Sequence, residues 1–198
     1  MKNKLFISCV AALCLCACTK EIVKPPDSID KKQNSRTFIQ YNIFKGNQYC
    51  DKNNYVPVKL SLLKFKVKFD SSAIYKTDRS ENQSDINKLF GFSDNNELHH
   101  EYSARFGWRW SDNALRLFAY IYNDGKMTFK ELGTVAIGIE NDCSISVSGN
   151  EYIFSLNGAG TVMPRASTTP EAEGYMLYPY FGGDEQAPHN ISIWIEKL

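Results

Sequence analysis

From residue 36 onward the chain alternates apolar and polar positions. Leu63, Phe65, Val67 and Phe69 are separated by Lys64, Lys66 and Lys68. A period of two predicts a strand with one buried face. Ala104, Phe106, Trp108 and Trp110 alternate with Ser103, Arg105, Gly107 and Arg109, and Leu115, Leu117, Ala119 and Ile121 alternate with Arg116, Phe118, Tyr120 and Tyr122. Shorter runs at 134–139, 143–147, 152–156, 175–181 and 191–195 extend the pattern. Between them stand turn residues: Ser111-Asp112-Asn113, Asn123-Asp124-Gly125, Ser148-Gly149-Asn150 and Asn157-Gly158. Asn-Gly and Asp-Gly supply the positive φ angles of tight hairpins. Only residues 84–90 offer a short helical turn, and no repeat of fixed period is present. Many short strands joined by turns predict an all-β antiparallel sandwich over 36–198.

The first 35 residues follow a different rule. Lys2 and Lys4 precede an uncharged run of 11 residues, Leu5 to Leu15, too short to span a bilayer core of about 30 Å but suited to a signal peptide. Leu15-Cys16-Ala17-Cys18 resembles the bacterial lipobox, with Cys16 where a smaller residue is usual. The resemblance implies a signal peptide over 1–17, cleavage before Cys18, and lipidation of the Cys18 thiol. Thioether and palmitate-type acyl chains would then anchor the protein in a membrane, each buried CH₂ contributing about 0.8 kcal/mol. The expected location is the cell envelope, on the outer membrane. Residues 18–35 are polar, contain Pro25-Pro26 and lack periodicity, the composition of a flexible tether.

Composition sharpens this in two places. The formal net charge of +1 among 198 residues provides no global field to draw in nucleic acid, and no nucleic-acid motif is present. Of six cysteines only Cys50 and Cys143 lie beyond the leader. In an oxidising envelope they are candidates for a disulfide or for two separately buried thiols.

The two central strands are rich on both faces. Arg105, Arg109, Arg116, Phe118, Tyr120 and Tyr122 point away from the aliphatic side, where Thr, Ser, Lys and Glu are usual. Guanidinium groups interleaved with aromatic rings suit a planar, anionic or sugar-like ligand; the same rings would also pack under loops.

The segments Asn87-Lys88-Leu89-Phe90-Gly91 and Ser103-Ala104-Arg105-Phe106-Gly107-Trp108-Arg109 resemble paired "G-K-L-P-G" and "S-A-R-x-x-W" strands of alginate-lyase-type concanavalin A-like jelly rolls. Asn87 and Phe90 depart from that pattern. The resemblance implies a jelly roll with Lys88, Arg105 and Arg109 on its concave sugar-binding sheet. The commoner alginate-lyase signatures, R-x-E-x-R, Q-I-H and Y-F-K-A-G, are absent, so it does not imply catalysis. Residues 178–193, with Tyr-Pro-Tyr-Phe-Gly-Gly-Asp-Glu followed by Ala187-Pro188-His189, resemble the end of Bacteroidetes lipoprotein domains, which implies no activity either.

The expected ligand site therefore comprises Lys88, Arg105, Trp108, Arg109, Tyr120 and Tyr122, with a glycan as ligand. A non-catalytic carbohydrate-binding or interaction module is the leading expectation; a polysaccharide lyase or hydrolase and a structural envelope protein are the alternatives. A uronate lyase needs a cation for the carboxylate, a base for the C5 proton and an acid for the leaving oxygen. Candidates for the proton transfers are His99, His100, His189, Tyr120 and Tyr122, while His99 and His100 also read as a solvated loop pair. Asp184 and Glu185, following Gly182 and Gly183, would with Asp51 offer oxygen ligands to a structural calcium, or simply form a charged turn.

Overall fold

The computed structural model describes residues 37–198. Cys18, the signal peptide and the tether lie outside the described residues.

Among the described residues, twelve strands form two six-stranded antiparallel sheets. In chain order they are β1 (Ile39–Ile43), β2 (Pro57–Leu60), β3 (Leu62–Phe69), β4 (Asn87–Ser93), β5 (Ser103–Ser111), β6 (Ala114–Asn123), β7 (Lys126–Val135), β8 (Asn141–Ser148), β9 (Glu151–Leu156), β10 (Ala159–Pro164), β11 (Ala172–Leu177) and β12 (Ile191–Lys197). One sheet has the order β1-β12-β3-β8-β9-β10 and the other β2-β11-β4-β5-β6-β7. The predicted antiparallel sandwich is what forms.

Period-two alternation makes the core. Leu63, Phe65, Val67 and Phe69 on β3 meet Ala104, Phe106 and Trp108 on β5 and Leu115, Leu117, Ala119 and Ile121 on β6, all buried in one cluster. The Phe106 ring lies edge-on to both Phe65 and Phe154, with centroids 5.4 and 5.3 Å away. Such pairs add about 0.5–1.5 kcal/mol to area burial. The turn residues behave as their chemistry requires: Asp112 and Asn113, Asp124 and Gly125, and Asn157 and Gly158 all take positive φ, closing three two-residue hairpins.

Two expectations are corrected, and one pair of alternatives is decided. The helical turn at 84–90 is instead a 3-10 turn at Ser80–Ser84 followed by strand β4. Of the strand expected at 134–139, only Thr134 and Val135 belong to a strand, the end of β7, and residues 136–139 form a turn. Cys50 and Cys143 are free, buried thiols, each in the core and unbridged. Burial pushes the Cys50 thiol up to about 11, so both act as small apolar side chains.

A buried ionic tie joins the sheets. Asp94, just past β4, accepts from Arg165 Nε at 2.7 Å and from the Tyr152 hydroxyl at 2.6 Å. The Asp94 side chain is 0% and the Arg165 side chain 2% exposed. Burial alone would raise the Asp94 pKa, but the bonds from Arg165 and Tyr152 hold it below its ordinary value. Ser167 and Thr169 complete the shell around Arg165. Sequence periodicity carries no sign of this tie, because its members lie in three separate segments.

Candidate functional site

The second sheet turns its other face outward, and register builds a site there. Arg105 lies directly opposite Tyr120, and Ser103 opposite Tyr122. On the other side of β5, Gly91 faces Arg105 and Ser93 faces Ser103. Gly91 is required: a Cβ there would stand 2.4 Å from both Cα and Cβ of Arg105. The register shifts by one between Lys88 and Gly91. That bulge sends Leu89 and Phe90 both into the core while Lys88 stays on the outer face.

The result is a groove of about 480 Å³. Lys88, Arg105, Tyr120 and Tyr122 line its sheet side, and His99 and His100 line it from the loop between β4 and β5. Four of the six expected ligand residues thus converge with two of the three histidines. The His100 and Tyr122 rings lie 5.4 Å apart, and Tyr120 and Tyr122 meet edge-on at 5.8 Å. His99 Nδ1 shares a 2.9 Å hydrogen bond with the Tyr175 hydroxyl. The rest of the lining includes Tyr175, Tyr178 and Tyr180, and Asn53, Asn54 and Tyr55 from the segment before β2.

Electrostatically the groove is one-sided. Among the described residues its lining contains Lys88 and Arg105 but no aspartate or glutamate. Arg105 is 6% exposed. It donates from Nη2 to the Tyr178 carbonyl at 2.7 Å, while its buried Nε has no partner among the described residues. Burial pulls its pKa down to about 10, opposed only by the surrounding tyrosines and Cys50. Lys88 donates to the Ile86 carbonyl at 2.7 Å and sits 4.7 Å over the Tyr120 ring. Burial, and then repulsion from Arg105, lowers its pKa to about 8. His99 is lowered to about 4 by burial and by the adjacent charges of His100 and Arg105, so it is neutral at physiological pH. Burial and the Tyr122 hydrogen bond raise the Tyr120 pKa.

Other expected site residues lie elsewhere. Trp108 is fully buried in the core, 5.7 Å edge-on from Tyr75, because it belongs to the inward register of β5. Arg109 shares the outer face but lies over Phe118 at 4.8 Å and donates to the Ser84 carbonyl, beyond the groove lining. His189 is outside the groove, its Nε2 2.8 Å from the Ser72 carbonyl. The carboxylates considered for calcium are engaged within the protein. Glu185 accepts from the Asp78 and Arg79 amides and Asn82 Nδ2, and Asp184 pairs with Arg79 at 2.6 Å. Asp51 is bound separately by Asn42 and Lys52. Nitrogen donors occupy the oxygens a cation would need, and among the described residues no group of three acidic, His or Cys side chains is arranged to hold a metal.

The Gly182-Gly183 pair has a packing role. A Cβ on Gly182 would lie 2.4 Å from the Ile86 carbonyl oxygen and 2.9 Å from Lys88 Nζ, and one on Gly183 would overlap the Asp85 carboxylate. The loop presses against the start of β4, and the Glu185 bonds pin it there.

No protein-family model matches the chain, and no curated protein matches it. Solved structures do. The alginate lyase AlyC3 aligns with a TM-score of 0.59 and 9% identity, over 83% of this chain and 75% of that one. A Bacteroides ovatus mixed-linkage-glucan GH16 protein in complex with product aligns at 0.52 and 11%, over 84% and 83%. The catalytic domain of an endo-1,3-β-glucanase (laminarinase) from Thermotoga petrophila RKU-1 aligns at 0.51 and 11%, over 81% and 75%. The likeness is one of fold: the chain is a concanavalin A-like jelly roll, as the strand motifs implied, and the fold is one used by carbohydrate-active proteins.

Proposed function

We propose that the groove binds an acidic polysaccharide by a uronate carboxylate on Arg105 and cleaves the chain by β-elimination. One observation carries this reading: among the described residues, a buried guanidinium with an unpartnered Nε opens on a groove lined by no carboxylate. Desolvating a charge without a counter-ion is costly, and at a cleft it marks a place reserved for an anion. The same lining argues against glycoside hydrolysis, which in most families needs two carboxylates about 5–9.5 Å apart.

Elimination uses what is present. Arg105 neutralises the uronate carboxylate and so makes the adjacent C5–H more acidic. Lys88, whose pKa near 8 leaves part of it unprotonated, accepts the C5 proton. The C5–H electron pair forms the C4–C5 double bond, the C4–O4 bond breaks, and Tyr122 protonates the departing oxygen. His99, neutral and bonded to Tyr175, orients the groove wall. This favours the lyase alternative over the module expected from sequence, because His, Tyr, Lys and Arg side chains converge in one groove.

A non-catalytic binding module is the second reading, favoured by the raised pKa of Tyr120, which removes it as a base. Incubating the purified protein with polyuronates and with a neutral β-glucan, while following binding and ultraviolet absorbance of the unsaturated uronate, tests both. Binding with new absorbance supports the lyase. Binding alone supports the module, and no binding of any acidic polymer overturns both.

The lipobox residues support the address we propose. Removal of 1–17 and lipidation of Cys18 with palmitate-type chains would tether the jelly roll to a membrane of the cell envelope, presenting the groove to glycan outside the cytoplasm.

A further inference from the structure

The groove does not end at Tyr175. Tyr55 and Tyr175 hold their rings 5.4 Å apart at 35°, and beyond them the same surface opens into a second depression of about 650 Å³. Tyr55 and Tyr175 line both spaces. Tyr55 is 73% exposed, so its ring is open to a ligand, and an aromatic ring flanked by polar groups suits the apolar face of a sugar.

Across that pair the electrostatics reverse. The second depression is lined by Glu97, Glu173 and Lys59. Lys59 is paired with Glu173 at 2.9 Å, and Glu173 also accepts from Asn96 Nδ2 at 3.1 Å. Glu97 has no ion pair among the described residues, so the depression carries net negative charge. A second uronate placed there would meet like charge, whereas a neutral sugar would find hydrogen-bond acceptors and an exposed apolar side chain, Leu98.

We propose that one polysaccharide chain crosses the Tyr55–Tyr175 pair and fills both depressions, an acidic sugar over Arg105 and an uncharged sugar beside Glu97 and Glu173. The ligand class is then an acidic heteropolysaccharide in which uronate and neutral sugars adjoin, rather than a homopolyuronate. This rests on the reading of the first groove as an acidic-glycan site.

The test compares affinities of the purified protein for a homopolyuronate and for a polymer alternating uronate with neutral sugar, in the wild type and in E97Q, E173Q and R105M. Expected are a preference for the alternating polymer and a gain on the homopolyuronate of about threefold for each carboxylate neutralised, as for unit charges about 6 Å apart in a watery dielectric. E97Q removes an exposed charge, so its fold is not at stake. Equal affinity for the two polymers, with E97Q and E173Q unchanged and R105M unable to bind, overturns the heteropolymer inference and leaves the groove reading standing. Failure of the wild type to bind either polymer overturns both.

Discussion

Replacing Arg105 with methionine should stabilise the protein while removing its ligand. Arg105 is 6% exposed and, among the described residues, has one side-chain hydrogen bond, to the Tyr178 carbonyl, and no carboxylate in the groove lining beside it. Its pKa falls from 12.5 to about 10 through burial. At about 1.4 kcal/mol per unit, that is a standing penalty of order 3 kcal/mol on the charged form at neutral pH. Methionine fills similar space without charge, as in other buried-ion replacements that gain about 1–4 kcal/mol. Against this, the Tyr178 carbonyl loses its donor, at about 1–3 kcal/mol. The net expectation is a gain of about 1 kcal/mol, or a rise of about 2–4 °C in Tm for a domain of this size. Thermal unfolding of wild type and R105M by circular dichroism, beside a binding titration with an acidic polysaccharide, checks both halves. A fall in Tm of several degrees would mean that Arg105 is a structural pin. Retained binding would mean that the anion sits elsewhere.

Three further outcomes follow from the same geometry. D94N leaves Arg165 buried without its counter-ion and should cost about 3–5 kcal/mol, read as a lower urea midpoint with an unchanged m-value. His99 is held near pKa 4, below its unfolded value near 6.5; the unfolded chain binds the extra proton first, so stability is full above about pH 6.5 and declines as pH falls toward 4, by up to about 3 kcal/mol. H99Q should flatten that part of the pH–stability profile. If Lys88 is the base, its neutral amine is the active form, and kcat/KM should rise as pH passes about 8 and lose that limb in K88M; a pH profile flat from 6 to 9 would refute the assignment.

The sandwich was legible because period-two alternation and Asx-Gly turns act locally. The strands around Phe65, Phe106 and Leu117 and the hairpins at Asp112, Asp124 and Asn157 lie where side-chain pattern and positive φ demand. β7 was legible only in part, since an edge strand with exposed residues on both faces has no apolar period. For the site, alternation correctly sent Arg105, Tyr120 and Tyr122 to one face, and the strand resemblance placed Lys88 beside them. The same alternation already put Trp108 on the inward face, against its inclusion in the ligand site, but it could not say that Arg109 is drawn to Ser84. Nor could it reveal Tyr55, Tyr175 and Tyr180, which reach the groove from a loop and from the far side of the sheet. Their contribution depends on strand order, with β11 beside β4 and β4 beside β5, and pairing over so long a sequence separation leaves no mark in local composition. Asp184 and Glu185 stayed between a cation loop and a charged turn for a related reason: two carboxylates after two glycines suit either until the partner segment at 78–82 is in place.

The most direct test of the account is the absorbance of unsaturated uronate released from an acidic polysaccharide, measured for the wild type and for R105M at equal concentration. New absorbance is expected with the wild type, none with a neutral β-glucan, and none with a folded R105M. Wild-type protein that neither binds nor cleaves any acidic polymer, or that treats the neutral glucan equally, would contradict it.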